Sequence, residues 1–210
     1  ARSVCRSPSH KGRVWAVAYS PNGHILASGA EDGAILLRPA GMTLPLKLLG
    51  KHDGHVAALA FSPDGKLLAS GAVSETWHSG GVTHKYPDAI ILWDVATRKQ
   101  VRSIPASLTH CVAWSPDGQR LLLTRIHDGQ MALWVMNADG SDPRRLLPEV
   151  RTPHFDGHWS PDGKHVVFVL DILQGTDGKL QINRCAADGS DNKVVLPHKA
   201  FDESPRWGPD

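Results

Sequence analysis

No stretch of this chain approaches the ~18 consecutive apolar residues that a membrane-spanning helix needs, and the first twenty residues carry neither the charged start nor the apolar block of a secretory leader. Charge of one sign is also missing: 23 basic residues face 21 acidic ones, and no basic run exceeds two residues. That balance argues against a polybasic arm for nucleic acid or anionic lipid. Cysteine is scarce. Cys5, Cys111 and Cys185 form no C-x-x-C pair and cannot all pair within one molecule, so they are read as buried or bystander thiols. Catalytic signatures are missing as well: the chain contains no G-x-S-x-G, H-E-x-x-H, G-x-x-x-x-G-K-S/T or G-x-G-x-x-G. These absences predict a soluble chain with no membrane span, no nucleic-acid partner, no cofactor and no catalysis within these residues; the compartment stays open, with cytoplasmic residence slightly favoured over periplasmic.

What the chain does have is glycine, proline and one recurring phrase. VAYSPNGHILASG at 17–29 returns as LAFSPDGKLLASG at 59–71, VAWSPDGQRLLLT at 112–124 and GHWSPDGKHVVFV at 157–169, and RWGPD at 206–210 starts it once more. From Ser20 through Ser62, Ser115 and Ser160 to Gly208 the steps are 42, 53, 45 and 48 residues. A period in the forties is that of a propeller blade of about four strands. In each copy an apolar stretch ends on an aromatic residue (Tyr19, Phe61, Trp114, Trp159 or Trp207), and a Pro- and Gly-containing turn follows. In the first four copies a second apolar stretch returns, which is the pattern of a hairpin. Third strands follow at 35–38, 90–93, 131–134 and 180–183, three of them after Asp-Gly turns at Asp32, Asp128 and Asp177. The expected fold is all-β, with four-stranded antiparallel blades at about 10–50, 52–104, 108–148 and 154–197 and the start of a fifth at 198–210. A single blade cannot cover both of its apolar faces, so blades are expected to stack face to face.

These residues resemble the WD-repeat β-propeller family, and the phrases LWVMNADGSDPRRLL and INRCAADGSDNKVVL are similar to its TolB-type relatives. The resemblance implies a hydrogen-bonded chain within each blade. It runs from a histidine ten residues before the turn serine, through a Ser/Thr on the second strand and an Asp in the next turn, to a Trp on the third strand. Copy two offers His52, Ser70, Asp88 and Trp93; copy one offers His10, Ser28 and Asp32, with Arg38 in place of the Trp. Copy three offers Thr124, Asp128 and Trp134 with Pro105 at the histidine position, and copy four keeps only Asp177. These residues are expected to be structural. Four blades and a fragment leave open sheet faces and the fifth copy stops in mid-turn, so the chain is expected to be a segment of a longer propeller of about six to eight blades, with residues 2–7 as the outer strand of a preceding blade; in the resembling family such a strand can also close the ring.

Two groups of residues invite a metal. HFDGH at 154–158 pairs His154 with His158 but offers no third ligand along the sequence, and exposed loop histidines are the simpler expectation. ADGSD, at 138–142 and 187–191, falls short of a calcium ligand count, and a turn explains it. The long second step comes from residues 73–88, VSETWHSGGVTHKYPD, which separate the second and third strands of copy two. In the resembling family this connection lies on the partner-binding face. Trp77, His78, His84, Lys85 and Tyr86 are therefore candidate contacts for a protein or peptide, while a zinc set of Glu75, His78 and His84 is disfavoured. The function expected is a non-catalytic scaffold that binds proteins through its loop face, with self-association through unpaired blades as a further partner mode. The alternatives are the propeller of a larger prolyl-oligopeptidase-like peptidase or bacterial kinase, and a TolB-like periplasmic accessory protein.

Overall fold

Every copy of the Ser-Pro-Asp/Asn-Gly phrase joins the first two strands of a four-stranded antiparallel sheet. The computed structural model describes residues 9–41, 47–73, 89–106, 109–127, 129–172, 179–196, Pro205 and Trp207; for 77–79, 82–84, His127, Lys179 and Leu196 it describes the backbone alone. No helix occurs among the described residues. The chain divides into two compact units, 1–108 and 109–210.

The first unit holds two blades. β1 (Val14–Tyr19), β2 (Ile25–Ala30), β3 (Ala34–Pro39) and β4 (Lys47–Lys51) pair in sequence order. β5 (His55–Phe61) and β6 (Leu67–Val73) begin the second blade. The insert then contributes a separate two-stranded hairpin, β7 (Trp77–Ser79) and β8 (Val82–His84), before β9 (Ala89–Asp94) and β10 (Lys99–Pro105) complete the sheet. Third strands such as β3 and β9 bury four consecutive residues, and so both faces, which is why they read as unbroken apolar runs rather than as alternations. The core lies between the sheets: Ala27, Ile35, Leu37 and Leu49 of the first blade pack against Val56, Phe61, Leu68, Ile91 and Trp93 of the second. Gly50 lets this happen, because a Cβ there would stand 2.1 Å from Trp93 Cζ3.

The second unit repeats the plan. β11 (Thr109–Trp114), β12 (Arg120–His127), β13 (Gln130–Asn137) and β14 (Arg144–Arg145) form one blade, and β15 (His154–Trp159), β16 (His165–Ile172), β17 (Lys179–Ala186) and β18 (Lys193–Leu196) form the next. Leu122, Leu133, Val135, Leu146 and Leu147 pack against Trp159, Val166, Phe168 and Cys185. Burying a side chain such as Phe168, fully enclosed here, contributes about 1.5–3 kcal/mol. Each first strand carries a bulge near its start, at 14/16, 56/58, 109/111 and 155/158.

Candidate functional site

The turn serines do identical work in four places. Ser20, Ser62, Ser115 and Ser160 donate their hydroxyl protons to Asn22, Asp64, Asp117 and Asp162 at 2.5–2.7 Å, and accept from the backbone N–H five residues on at 2.9 Å. The serine hydrogen bond is the main reason that Asp64, Asp117 and Asp162 stay ionised to lower pH than a free carboxyl. In both ADGSD turns the aspartate is occupied by the serine that follows it, Asp139 by Ser141 and Asp188 by Ser190.

Blade two contains a buried polar chain. Ser70 Oγ lies 2.7 Å from both His52 Nε2 and Trp93 Nε1, so one hydroxyl joins the second strand to the third and to the connection that enters the blade. Burial lowers the His52 pKa to about 4, which keeps the ring neutral. Blade one has a wetter version: His10 Nε2 meets Ser28 Oγ at 2.8 Å, His10 Nδ1 is 3.5 Å from Asp32 Oδ1, and Asp32 also accepts from the Lys11 and Ala34 amides. Arg38, at the tryptophan position, is exposed. In blade three Thr124 Oγ1 accepts the Asp156 amide at 3.1 Å, and the Trp134 ring lies 3.9 Å below the Arg125 guanidinium. Asp88, Asp128 and Asp177 lie outside the described residues, as do Glu75, Lys85, Tyr86 and the side chains of Trp77, His78 and His84. Of the insert, the structure gives the β7–β8 backbone pairing, Trp77 opposite His84 and Ser79 opposite Val82.

The two histidines of HFDGH part company. His154 is no loop residue: it is fully buried in β15, at the place that Val56 takes in blade two, with Nδ1 donating to the Thr152 carbonyl at 2.8 Å. His158 turns instead towards Asp156, Nε2 to Oδ1 at 3.3 Å, and the two come together with Cys111 of β11 so that one ligand-type atom of each lies within 4.8 Å of the others. Sequence reasoning missed this trio because Cys111 belongs to the preceding blade. The available signal was the position of Cys111 in the repeat, three residues before the strand-ending Trp114 and so in register with Asp156 before Trp159. The bulge of β15 builds the trio: Asp156 has a positive φ of 53°, and Gly157 presses its backbone onto blade three, where a Cβ would meet Leu133 and Leu122 at 2.8 and 2.9 Å. Beside the trio a cleft of about 650 Å³ is lined by Cys111, Thr124, Met131, Phe155, Asp156 and Asp171, among others. Cys185, by contrast, is buried among apolar side chains that push its thiol up to about 12, far from reactivity.

Blade one is exceptional in one more way. Its first strand exposes Val14, Trp15, Val17 and Tyr19 by 50, 58, 65 and 62%. The residues matching Tyr19 in the other blades, Phe61, Trp114 and Trp159, are exposed by 9, 9 and 8%, and those matching Val14, namely Val56, Thr109 and His154, are fully buried.

Four-stranded antiparallel sheets repeating on one turn phrase, with cores formed between successive sheets, define a β-propeller. Comparison with known proteins agrees: the WD domain, G-beta repeat model matches residues 2–37 and 45–82. The Tol-Pal system protein TolB of Anaeromyxobacter dehalogenans (strain 2CP-C) is 37% identical over 121 residues, 55% of this chain and 26% of that protein. Among solved structures, a putative TolB from Agrobacterium tumefaciens superposes with a TM-score of 0.67 at 21% identity, covering 86% of this chain and 64% of the other. A chain of the Mitotic Checkpoint Complex gives 0.59 at 23% identity, covering 83% and 49%. The chain thus has the β-propeller fold and is similar to WD-repeat and TolB proteins; it matches about a quarter of the length of the TolB relatives. No helix among the described residues is long and apolar enough to cross a membrane.

Proposed function

We propose that the chain is a non-catalytic propeller scaffold that works by binding other polypeptides. The observation that carries this reading is the apolar row of Val14, Val17 and Tyr19 with the neighbouring Trp15, exposed on blade one although the residues matching Val14 and Tyr19 are buried in the other three blades. In blade two the matching Val56 and Phe61 pack against the sheet face of the blade before it, which supports a sheet face as the occupant. The preferred occupant is therefore a β-sheet face, supplied by a second copy of this chain when no other is at hand. The loop face offers a second contact through the β7–β8 hairpin, set between strands that the first blade joins by the short turn at Glu31–Gly33. A structural relative that sits in a multiprotein assembly is in keeping with a binding role.

Replacing Val17 with a photocrosslinking benzophenone amino acid tests this directly. Illumination is expected to give covalent adducts with polypeptide from position 17 and none from Lys66, which stands exposed in a turn. No adduct at position 17, or equal yields at both positions, would contradict the proposal.

A further inference from the structure

We propose that Cys111, Asp156 and His158 form a binding site for a borderline transition-metal ion of the Zn²⁺ class, with its remaining coordination position open to the adjoining cleft. One thiolate, one imidazole and one carboxylate make a donor set suited to such ions rather than to calcium or magnesium, which take oxygen ligands. The spacing fits. Metal–ligand bonds of about 2.0–2.3 Å in a tetrahedral arrangement put neighbouring donor atoms roughly 3.3–3.7 Å apart. His158 Nε2 and Asp156 Oδ1 are already 3.3 Å apart, and the thiol is close enough for the trio to fall within 4.8 Å.

The backbone brings the ligands together. Asp156 holds a left-handed conformation that non-glycine residues seldom adopt, and it does so in the bulge where two residues of β15 face one of β16. Gly157 seats the bulge against Leu122 and Leu133, and Thr124, which pairs with Cys111 across β11 and β12, accepts the Asp156 amide at 3.1 Å. The ligands thus come from two consecutive blades of one unit and are fixed to each other by backbone contacts. Cys111 and Asp156 also line the cleft of about 650 Å³, so an exogenous small ligand has room to complete the coordination sphere. Three protein ligands with one open position is the arrangement that leaves an ion able to bind water or an anion.

Cobalt(II) serves as the probe, because its d–d and thiolate charge-transfer absorptions report geometry and sulfur ligation separately. The whole chain carrying Cys5→Ser is titrated with Co²⁺ and then with Zn²⁺. One equivalent of Co²⁺ is expected to produce tetrahedral-type visible bands with a sulfur charge-transfer band. Zn²⁺ is expected to displace it and to protect Cys111 from iodoacetamide. Cys111→Ser should abolish the charge-transfer band. His158→Gln and Asp156→Asn should each weaken binding by about tenfold or more, given that loss of even an outer-sphere partner costs about 10–100-fold. Alkylation protection is read on the Cys111-containing chain, so the test survives if one variant fails to fold. Absence of a charge-transfer band at one equivalent, a band that persists in Cys111→Ser, or alkylation of Cys111 at the same rate with and without Zn²⁺ would each overturn the site.

Discussion

Ser70 carries more of blade two than its size suggests, because its one hydroxyl serves both His52 and Trp93, and all three are buried. Removing it leaves two enclosed polar groups without their partner, at about 1–3 kcal/mol each. Ser70→Ala is therefore expected to destabilise the protein by about 2–4 kcal/mol in urea unfolding. Ser28→Ala, which releases only the partly solvated His10, is expected to cost about 1 kcal/mol; equal costs would show that the tryptophan bond adds nothing. Acid acts on His52. His52 ionises at about 4 when folded and near 6.5 when unfolded, so the unfolded chain binds the proton first as pH falls. Its contribution is intact above pH 6.5 and is lost between 6.5 and 4, amounting to about 3 kcal/mol. Burial shifts His154 in the same direction, and Asp64, Asp117 and Asp162 add their loss only below the ordinary carboxyl range. Urea midpoints measured from pH 7.5 to 4 should fall steeply for the natural chain and less for His52→Gln; a flat profile would refute the buried neutral ring.

At the scale of elements, blades one and two differ chiefly in the connection between their second and third strands. The β6–β9 ladder, Leu67 opposite Asp94 through Gly71 opposite Ile90, is complete before the β7–β8 hairpin begins, so the hairpin is an addition to a finished sheet. Replacing residues 74–88 by a short Asp-Gly turn is expected to change stability by less than about 1 kcal/mol. The same change should remove a set of proteins from those labelled by a proximity-labelling enzyme fused to the chain. An unchanged set would confine partner binding to other surfaces. The turns, the third strands and the aromatic residue that ends each first strand were all legible in the sequence, because each depends on local rules: proline and glycine in the turn, apolar runs in strands buried on both faces. The trio of Cys111, Asp156 and His158 was not, because it is assembled across two blades by a bulge whose left-handed residue is an aspartate rather than a glycine. His154 was misleading for a related reason. A polar side chain occupies a slot that blade two fills with Val56, and nothing in the local sequence reports that the slot is closed.

For the whole molecule, first-strand residues of blades two and four pack on the sheet before them, whereas the row on blade one stands exposed, which is the basis for proposing that it receives a polypeptide. Exposed valines and tyrosine along one strand, with a tryptophan in its bulge, are a strong drive to association, since single scattered apolar residues are ordinary but a contiguous patch marks an interface. That row was readable in the sequence as a strand but not as an exposed surface, because Val14 and Tyr19 look no different from their buried counterparts Val56 and Phe61, nor Val17 from the partly buried Leu59. Exposure here is a property of what lies beside the blade. The measurement that tests the account most directly is light scattering on the size-fractionated 210-residue chain over a hundredfold range of concentration, alongside the double variant Val17→Glu, Tyr19→Lys. The natural chain is predicted to move from the mass of one chain towards that of two as concentration rises, while the variant stays at one chain with its β-sheet circular dichroism unchanged. A natural chain that keeps the mass of one chain throughout, or a variant that associates as the natural chain does, would contradict the claim.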